Sequence, residues 1–384
     1  MMSDRKLARV VIIDSIIEIA GANNIELAMV GGWQVVVGKG LYVPGDKALY
    51  CEVDSLLPTA HPAFAELATR LSSKLLHEVD GKGYARIKTA KLMKQLSQGF
   101  CVPLSEVGIG ADTPVDEDMT KFLGILKYEK GEERSMNNAG VADGVKGKAT
   151  KPFPSFIPKT DQNRVQNIVP RYLQSVESGE LFEKTFKLDG SSLTAWIKDG
   201  VTGVASRNVS FRLQTENKGF VRTFRDYFKQ VKKHGFRHAK FVTQIQPDSN
   251  AFTTMALNSG VITALVRENR NLAIQGEMVG PAIQKNFEGV KSNQLYIYDI
   301  YDIDAQKYLL PQERLDFIEK HGLRGVPLAA INVNLYTTVQ ETIDDASVAP
   351  TGLNGKYAEG YVFKSMTRDF SFKVISNKYL LKEE

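Results

Sequence analysis

The chain has 384 residues, a net charge of +5, and 43% hydrophobic and 24% charged residues. This ordinary globular composition excludes a disordered, collagenous or repeat-array chain, and the length predicts two or three domains. Two cysteines and five histidines without a Cys/His cluster exclude a disulfide scaffold and a zinc-ribbon site. The charge excess is too small to identify a nucleic-acid partner by itself.

The N-terminal segment contains an apolar stretch that lacks the features of a targeting sequence. Asp14 and Glu18 interrupt it, and no cleavage pattern follows. Nowhere do about 18 uncharged apolar residues run together, so no membrane span or membrane partner is predicted. We expect a soluble, cytoplasmic or otherwise intracellular protein without a signal peptide. Nothing in the sequence indicates an obligate assembly, so we expect a monomer.

Short β-rich segments separated by glycine-containing turns fill the first third of the chain. The predicted strands are 28–30, 33–37, 48–53, 84–89 and 99–104. Between them, residues 62–77 carry apolar side chains at near-helical spacing and are predicted to form a helix. Several strands around one helix favour an OB-like barrel over residues 1–130, and an SH3-like barrel would give a similar pattern. Cys51 and Cys101 lie in apolar runs and are predicted to be reduced core residues.

The composition changes after the predicted barrel. Residues 131–155 are rich in Lys, Gly, Asn and Pro, which is typical of a linker or mobile loop. Strands such as 192–197 and 295–298 then alternate with helical segments, one of them within 251–268. We therefore predict a second, α+β domain over residues 156–384.

The segment from Phe186 to Ser192 contains residue types that are typical of a catalytic site. Lys187 stands two residues before Asp189, and the permissive Gly190 follows. Lysine is a nucleophile only when neutral, and with a reference pKa near 10.4 only about one molecule in 10³ is neutral at pH 7. Burial or a nearby cation must lower this pKa, and a divalent metal held by carboxylates would supply the charge. Alone, the pattern is also typical of a solvated lysine and a turn.

Further motifs follow Lys187 in a defined order. They are S-R-N at 206–208, Q-G-E at 275–277, Y-I-Y-D at 296–299, E-G-Y-V-F-K at 359–364 and S-F-K at 371–373. The ordered set resembles the covalent nucleotidyltransferases, a superfamily that contains ATP-dependent RNA ligases, DNA ligases and mRNA capping enzymes. The details at 275–277 and 371–373 resemble the RNA ligase branch most closely.

The branches of this superfamily differ in the domains that precede and follow the motifs. DNA ligases and capping enzymes continue past the last lysine motif into a C-terminal OB domain, whereas only 11 residues, 374–384, follow Lys373. Residues 86–92 and 95–99 are instead similar to an N-terminal OB module of one RNA ligase branch. The resemblance implies an α+β chain, with an N-terminal OB-like barrel followed by a nucleotidyltransferase domain of antiparallel sheets and helices.

The resemblance implies three chemical steps. Lys187 attacks the α-phosphorus of ATP to give lysyl-AMP, the AMP moves to an RNA 5′-phosphate, and a 3′-hydroxyl then displaces it. Each step is an in-line phosphoryl displacement, in which positioning and charge neutralisation dominate. The implied partner is RNA with 5′-phosphate and 3′-hydroxyl ends. By analogy with the branch, we expect nicks in duplexes and a role in RNA repair.

The family pattern places carboxylates around the nucleotide and a metal. These positions are Asp189, Glu277 and Glu359, and three convergent carboxylates suit a water-rich Mg²⁺ or Mn²⁺ ion. Glu277 could bind the ribose hydroxyls instead of the metal. Each carboxylate taken alone is also typical of a turn or an exposed strand end.

Three further side chains are assigned to the nucleotide by the resemblance. Arg207 matches an arginine that contacts the nucleotide, and Arg164 lies in the segment that leads into the pocket. Tyr298 matches the aromatic residue that stacks on adenine. Tyr296 is its rival, because strand alternation places both rings on one face.

The last two motifs supply cations for the phosphate. Lys373 is expected to meet the AMP phosphate, and Lys364 is a second cationic candidate. Relatives commonly have another lysine two residues after the first, where this chain has Ile375. Lys378 could replace it, or Lys373 could act alone.

Basic and aromatic residues alternate through residues 218–237. The pattern is typical of RNA contact, although an amphipathic helix with its rings inward explains the aromatic residues better. We expect the Lys/Arg face to be an RNA surface. His234 and His238 have metal-compatible spacing, but no carboxylate supports them as ligands.

Two other functions remain open. A capping-type guanylyltransferase would use GTP in place of ATP, and a non-catalytic OB-type RNA-binding protein would carry a degenerate transferase domain. The presence of Lys187, Asp189, Glu277 and Glu359 argues against degeneration.

Overall fold

The computed structural model describes residues 5–128, 151–159, 162–211, 250–281 and 283–382, together with residues 213, 216–217, 225, 227–229, 231–232 and 244–245. Most of the predicted linker, most of the basic segment 218–237, and both His234 and His238 lie outside the described residues. In the described part of the chain, no helix is long and apolar enough to cross a membrane.

Residues up to 128 form small antiparallel sheets, in agreement with the prediction of a β domain. The strands are β1 Ala8–Ile12, β2 Ser15–Glu18, β3 Ile25–Val30, β4 Trp33–Gly38, β5 Lys47–Cys51, β6 Ser55–Pro58, β7 Leu76–Val79, β8 Lys82–Arg86, β9 Ala90–Leu92, β10 Gln95–Ser97, β11 Phe100–Pro103 and β12 Leu126–Lys127. They are ordered β1-β5-β11, β2-β3-β4, β12-β6-β8-β7 and β10-β9.

The central strand β5 buries both of its faces. Leu49 and Cys51 join one apolar cluster, whereas Ala48 and Tyr50 join another on the opposite side. This follows from the two-residue alternation of side chains along a strand. Cys51 and Cys101 are buried free thiols, as predicted, and burial raises the pKa of both.

The predicted helix over 62–77 is wrong beyond Arg70. Two short helices, α1 Pro62–Ala65 and α2 Leu67–Arg70, are followed by a 3₁₀ turn at Ser73–Leu75. Residues 76–79 are the strand β7, which pairs with β8. Leu71 and Leu76 still pack against the apolar cluster, because a turn followed by a strand can bury the same apolar residues as a helix.

The rest of the described chain forms a seven-stranded sheet and a four-stranded sheet, with helices against them, and a two-stranded sheet of β18 and β19. The strands are β13 Lys151–Pro152, β14 Phe182–Lys187, β15 Ser191–Lys198, β16 Val201–Ala205, β17 Val209–Phe211, β18 Glu216–Asn217, β19 Gln244–Ile245, β20 Leu272–Val279, β21 Gln294–Asp302, β22 Lys307–Tyr308, β23 Leu328–Val333, β24 Gly360–Ser365 and β25 Ser371–Ile375. The helices are α3 Val169–Glu177, α4 Ala251–Asn258, α5 Val261–Glu268, α6 Pro311–Lys320, α7 Val339–Val348 and α8 Asn377–Lys382, with 3₁₀ turns at Leu104–Val107 and Val165–Asn167.

One sheet has the order β13-β17-β16-β15-β20-β21-β22 and the other β23-β14-β24-β25. The pairing of residues 151–152 with β17 makes the end of the predicted linker a strand of the first sheet. The helix predicted within 251–268 is two helices, α4 and α5. They are separated at Gly260, whose φ of +84° is left-handed and costs little without a Cβ atom.

Chain connectivity places the predicted nucleophile between the two sheets. Lys187 is the last residue of β14 in one sheet, and Ser191 is the first residue of β15 in the other. The intervening loop, residues 188–190, therefore crosses from one sheet to the other. Its length of three residues holds the end of β14 close to the start of β15.

The N-terminal sheets contact the second domain through polar side chains. The indole N–H of Trp33 donates to Asn167 at 2.8 Å, and the Asn167 amide donates to Glu52 at 3.1 Å. Gln98 donates to Asn377 of α8 at 3.0 Å. A Cβ atom on Gly32 would lie 2.8 Å from the Cα of Gln166, so the two backbones are in close contact here.

The Gly32 contact generates a stability prediction. Gly32→Ala forces the two domains apart or distorts the 31–33 turn, and overpacking of this kind costs roughly 1–3 kcal/mol. Gly38→Ala is the matched control, because its new Cβ would meet only the Leu41 Cβ at 4.0 Å. Thermal unfolding of both variants should show a lower melting temperature for Gly32→Ala alone. Equal melting temperatures would show that this interface tolerates a wider gap.

Candidate active site

Two glycines let the backbone close around Lys187. Gly360 is its cross-strand neighbour in β24, and a Cβ there would lie 2.0 Å from the Val374 carbonyl oxygen. A Cβ on Gly190 would lie 2.3 Å from the Met278 carbonyl oxygen in β20. Both contacts are possible only without a side chain. Gly190 lets the loop of residues 188–190, called the nucleophile loop below, approach β20, and Gly360 lets β24, the strand paired with Lys187, approach β25.

The Lys187 ammonium is ion-paired with Glu359. Its Nζ lies 2.7 Å from Glu359 Oε2, and the two side chains are 27% and 10% exposed. Burial lowers the pKa of Lys187, but Glu359, Glu277 and Asp189 together outweigh it, so the pKa lies above its ordinary value. The protein's own groups therefore favour the protonated amine. The lower pKa that nucleophilic attack requires has to come from an added cation.

A pocket of about 220 Å³ opens beside this ion pair. It is lined by the predicted site residues Lys187, Asp189, Arg207, Glu277, Tyr298 and Lys373, together with apolar side chains from Phe153, Phe186 and Val326. A small pocket with apolar walls and convergent charged groups is typical of a nucleotide or cofactor site.

Tyr298 and its rival Tyr296 have different environments. Tyr298 lines the pocket, and its hydroxyl lies 2.9 Å from the Ser192 hydroxyl. It is the extra residue of a bulge, because Gln275 pairs with Asp299 and Gly276 with Ile297. Tyr296 is 6% exposed, packs in an apolar cluster with Leu188 and Val326, and does not itself line the pocket.

Sequence and structure comparisons agree on the family. An RNA ligase family model matches residues 181–378, and an OB-fold domain model matches residues 7–104. The chain belongs to the RNA ligase family. The predicted family and α+β fold are thereby confirmed, and the N-terminal barrel is an OB fold rather than an SH3-like one.

Solved structures of Naegleria gruberi RNA ligase resemble the whole chain. The structure with PPi is 33% identical with a TM-score of 0.80, and the match covers 98% of each chain. Mutant structures with ATP and Mn and with AMP and Mn are each 34% identical with a TM-score of 0.79, again over 98% of each chain. No curated protein sequence matches the chain.

Lys364 does not line the pocket of this RNA ligase, so its predicted contact with the nucleotide is not supported. Its side chain is 9% exposed, and its ammonium donates to the Asp299 carboxylate and to the Tyr298 carbonyl oxygen. Arg314 also donates to that carbonyl, at 3.1 Å, and is ion-paired with the fully buried Glu183. Two buried cations that do not line the pocket, Lys364 and Arg314, therefore donate to the backbone carbonyl of Tyr298 in the bulge.

The remaining predicted cations lie at the edge of the pocket or away from it. Lys373 lines it, and its backbone N–H donates to the Asn163 carbonyl at 2.9 Å. Arg164 forms a backbone bridge to Lys373 but is not a lining residue, and its guanidinium lies 5.7 Å from the Trp33 ring. Lys378 is on α8, with its ammonium over the Tyr357 ring at 5.0 Å, and does not line the pocket.

The carboxylates surround the amine without forming a direct metal cage. Among the described residues, no group of three or more His, Cys, Asp or Glu side chains could hold a metal ion directly. Asp189, Glu277 and Glu359 nevertheless all act electrostatically on Lys187. Such a distributed set fits a hard ion that keeps much of its water, as Mg²⁺ does.

Sequence reasoning missed a fourth carboxyl group at the site. Glu288, in the loop between β20 and β21, is 2% exposed and accepts a hydrogen bond from the Asp189 backbone N–H at 2.9 Å. Burial raises its pKa to about 7, and Glu359 and Asp189 add to the shift. No motif contains it, since only the folded chain brings this loop to Asp189.

The position of Lys364 predicts a structural role. Lys364→Met leaves the Asp299 carboxylate buried without its cation, which should cost about 3–5 kcal/mol in the free energy of unfolding. Lys198→Met is the matched control, because its ion pair with Asp199 has the same chemistry but is exposed, and its stability should stay close to that of the wild type. Urea unfolding measures both. An unchanged free energy of unfolding for Lys364→Met would contradict the structural role of this lysine, and its predicted contact with the nucleotide would again be open.

Proposed function

We propose that this RNA ligase is ATP-dependent and joins RNA 5′-phosphate and 3′-hydroxyl ends through a covalent lysyl-AMP. The ion-paired Lys187 amine beside a nucleotide-sized pocket carries the proposal. Structures of the Naegleria gruberi enzyme with ATP and Mn, and with AMP and Mn, support the choice of nucleotide and of a divalent cation.

In the first step, the Lys187 nitrogen attacks the α-phosphorus of ATP. A P–N bond forms, the bond to the bridging oxygen breaks, and pyrophosphate leaves. The ammonium must first lose a proton, and the Glu359 carboxylate, hydrogen-bonded to it at 2.7 Å, can accept it. The AMP then passes to the RNA 5′-phosphate, and the 3′-hydroxyl attacks that phosphate and releases AMP.

Mg²⁺ or Mn²⁺ would be held beside Asp189, Glu277 and Glu359. When bound, the ion offsets their negative charge, which lowers the pKa of Lys187 and neutralises phosphate oxygens. Glu277 also lies opposite Ser192 at the start of β15, a position equally suited to the ribose hydroxyls.

The other lining residues fit the parts of the nucleotide. The Tyr298 ring supplies a flat face for adenine, and Arg207 and Lys373 bring positive charge to the same pocket. Arg164 would act indirectly, through its backbone bridge to Lys373.

We further propose that the RNA substrate is a nicked duplex and that the enzyme acts as a monomer. The OB-fold domain packs beside residues 164–167, next to the Lys373 strand. Nucleic acid that contacts this domain would therefore lie close to the nucleotide pocket. A nicked duplex presents both ends together, which spares the entropy of bringing two free strands into line.

Covalent labelling tests the nucleophile. With α-³²P-ATP and Mg²⁺ or Mn²⁺, the wild-type chain should retain label after denaturation in SDS. Lys187→Ala should abolish the label because the amine is gone, and Lys187→Arg should not restore it because guanidinium stays protonated. Retained label in Lys187→Ala would reject the assigned nucleophile.

The same assay with α-³²P-GTP separates the alternatives. Label from GTP and not ATP would favour a capping-type guanylyltransferase. No label from either nucleotide would favour a non-catalytic RNA-binding protein. We expect label from ATP.

Substrate geometry gives a separate test. Product formation on a nicked RNA duplex should exceed that on the same two strands without the complementary strand, by about 10-fold or more, because the duplex aligns the ends. Gel separation of end-labelled strands measures both rates. Equal rates would reject the nick preference while leaving the lysyl-AMP chemistry intact.

A further inference from the structure

The loop between β20 and β21, residues 280–293, holds the nucleophile loop at two points. Glu288 Oε1 accepts the Asp189 backbone N–H at 2.9 Å. The Gln284 side-chain amide donates to the Gly190 carbonyl oxygen at 3.3 Å. The Glu288 carboxyl group and the Gln284 amide, both from this loop, therefore bind the two ends of the Asp189-Gly190 dipeptide, which begins two residues after Lys187.

Further hydrogen bonds hold the backbone of Glu288 and the turn that contains it. Its backbone carbonyl accepts from the Asn354 N–H at 3.2 Å. The turn that carries it is closed by Asn286, whose side chain makes two hydrogen bonds to the Val290 backbone, at 3.0 and 3.2 Å. Because Glu288 is only 2% exposed, its side chain has little room to move away from Asp189.

Glu288 forms hydrogen bonds to the chain close to each member of the ion pair between Lys187 and Glu359. Its side chain holds the loop next to Lys187, and its backbone holds Asn354 in the segment that leads to Glu359. The 2.7 Å distance between Lys187 Nζ and Glu359 Oε2 depends on the relative placement of these two segments. A displacement of about 1 Å at a reacting atom can cost on the order of 100-fold in rate.

We propose that Glu288 is a positioning residue for Lys187, fixing the nucleophile loop through the Asp189 N–H. The inference rests on the proposed lysine adenylylation. Hydrogen-bond acceptance is the essential property, since an apolar side chain at position 288 would remove the acceptor of the Asp189 N–H. A glutamine keeps an acceptor oxygen at the same reach and should substitute for glutamate.

Single-turnover labelling with ATP tests the role. Glu288→Ala should lower the rate constant at saturating ATP by about 10- to 100-fold, with the half-saturating ATP concentration changed by less than about threefold, since the effect falls on alignment and not on nucleotide binding. Glu288→Gln should stay within about fivefold of wild type. Lys291→Ala, an exposed residue of the same loop, is the matched control and should behave as wild type.

A second readout distinguishes positioning from general damage to the fold. Sealing of a nick that already carries a 5′-adenylate bypasses attack by Lys187, so Glu288→Ala should retain this activity within about threefold. Equal losses in both reactions, or Glu288→Gln as impaired as Glu288→Ala, would overturn the proposal. Absence of label in the wild-type chain would instead reject the proposed function, so the two failures differ.

Discussion

The ion pair between Lys187 and Glu359 is the interaction on which the site depends. It lies where β14 leaves one sheet for the other, and neither partner is well solvated. A buried ammonium needs a counter-ion because water no longer stabilises it. The same carboxylates that permit its burial also raise its pKa and keep it protonated. The groups of the site therefore favour the charged amine, and in the mechanism proposed above it is positive charge brought with the substrate that makes the amine reactive.

The pocket is backed by a second set of buried charges. Lys364 and Arg314 both donate to the carbonyl oxygen of Tyr298, and each is ion-paired with an acidic residue. Pairing limits the cost of burying these groups, and it fixes the bulge that turns the Tyr298 ring into the pocket. Charges that touch no substrate can thus determine the shape of the nucleotide site.

Motif residues were predicted most reliably where chemistry restricts the residue type. Lys187, Asp189, Glu277, Arg207, Tyr298 and Lys373 all line the pocket or face it. Lys364 has the same residue type as Lys373 and stands in an equally convincing motif. Its side chain, however, leaves β24 on the side of Asp299, and sequence spacing alone does not reveal which buried carboxylate lies there. Glu288 belongs to no motif, so nothing in the sequence indicated its contact with Asp189.

The sequence by itself determined the family, the order of the domains, most strands and the proposal of Lys187 as the nucleophile, because each depends on residue type and local spacing. Only the tertiary structure decided which charged groups meet, how residues 71–79 bury their leucines, and that Glu288, more than 90 residues away, accepts a hydrogen bond from Asp189. These outcomes depend on pairing between distant strands and on desolvation, and neither is a property of a short segment.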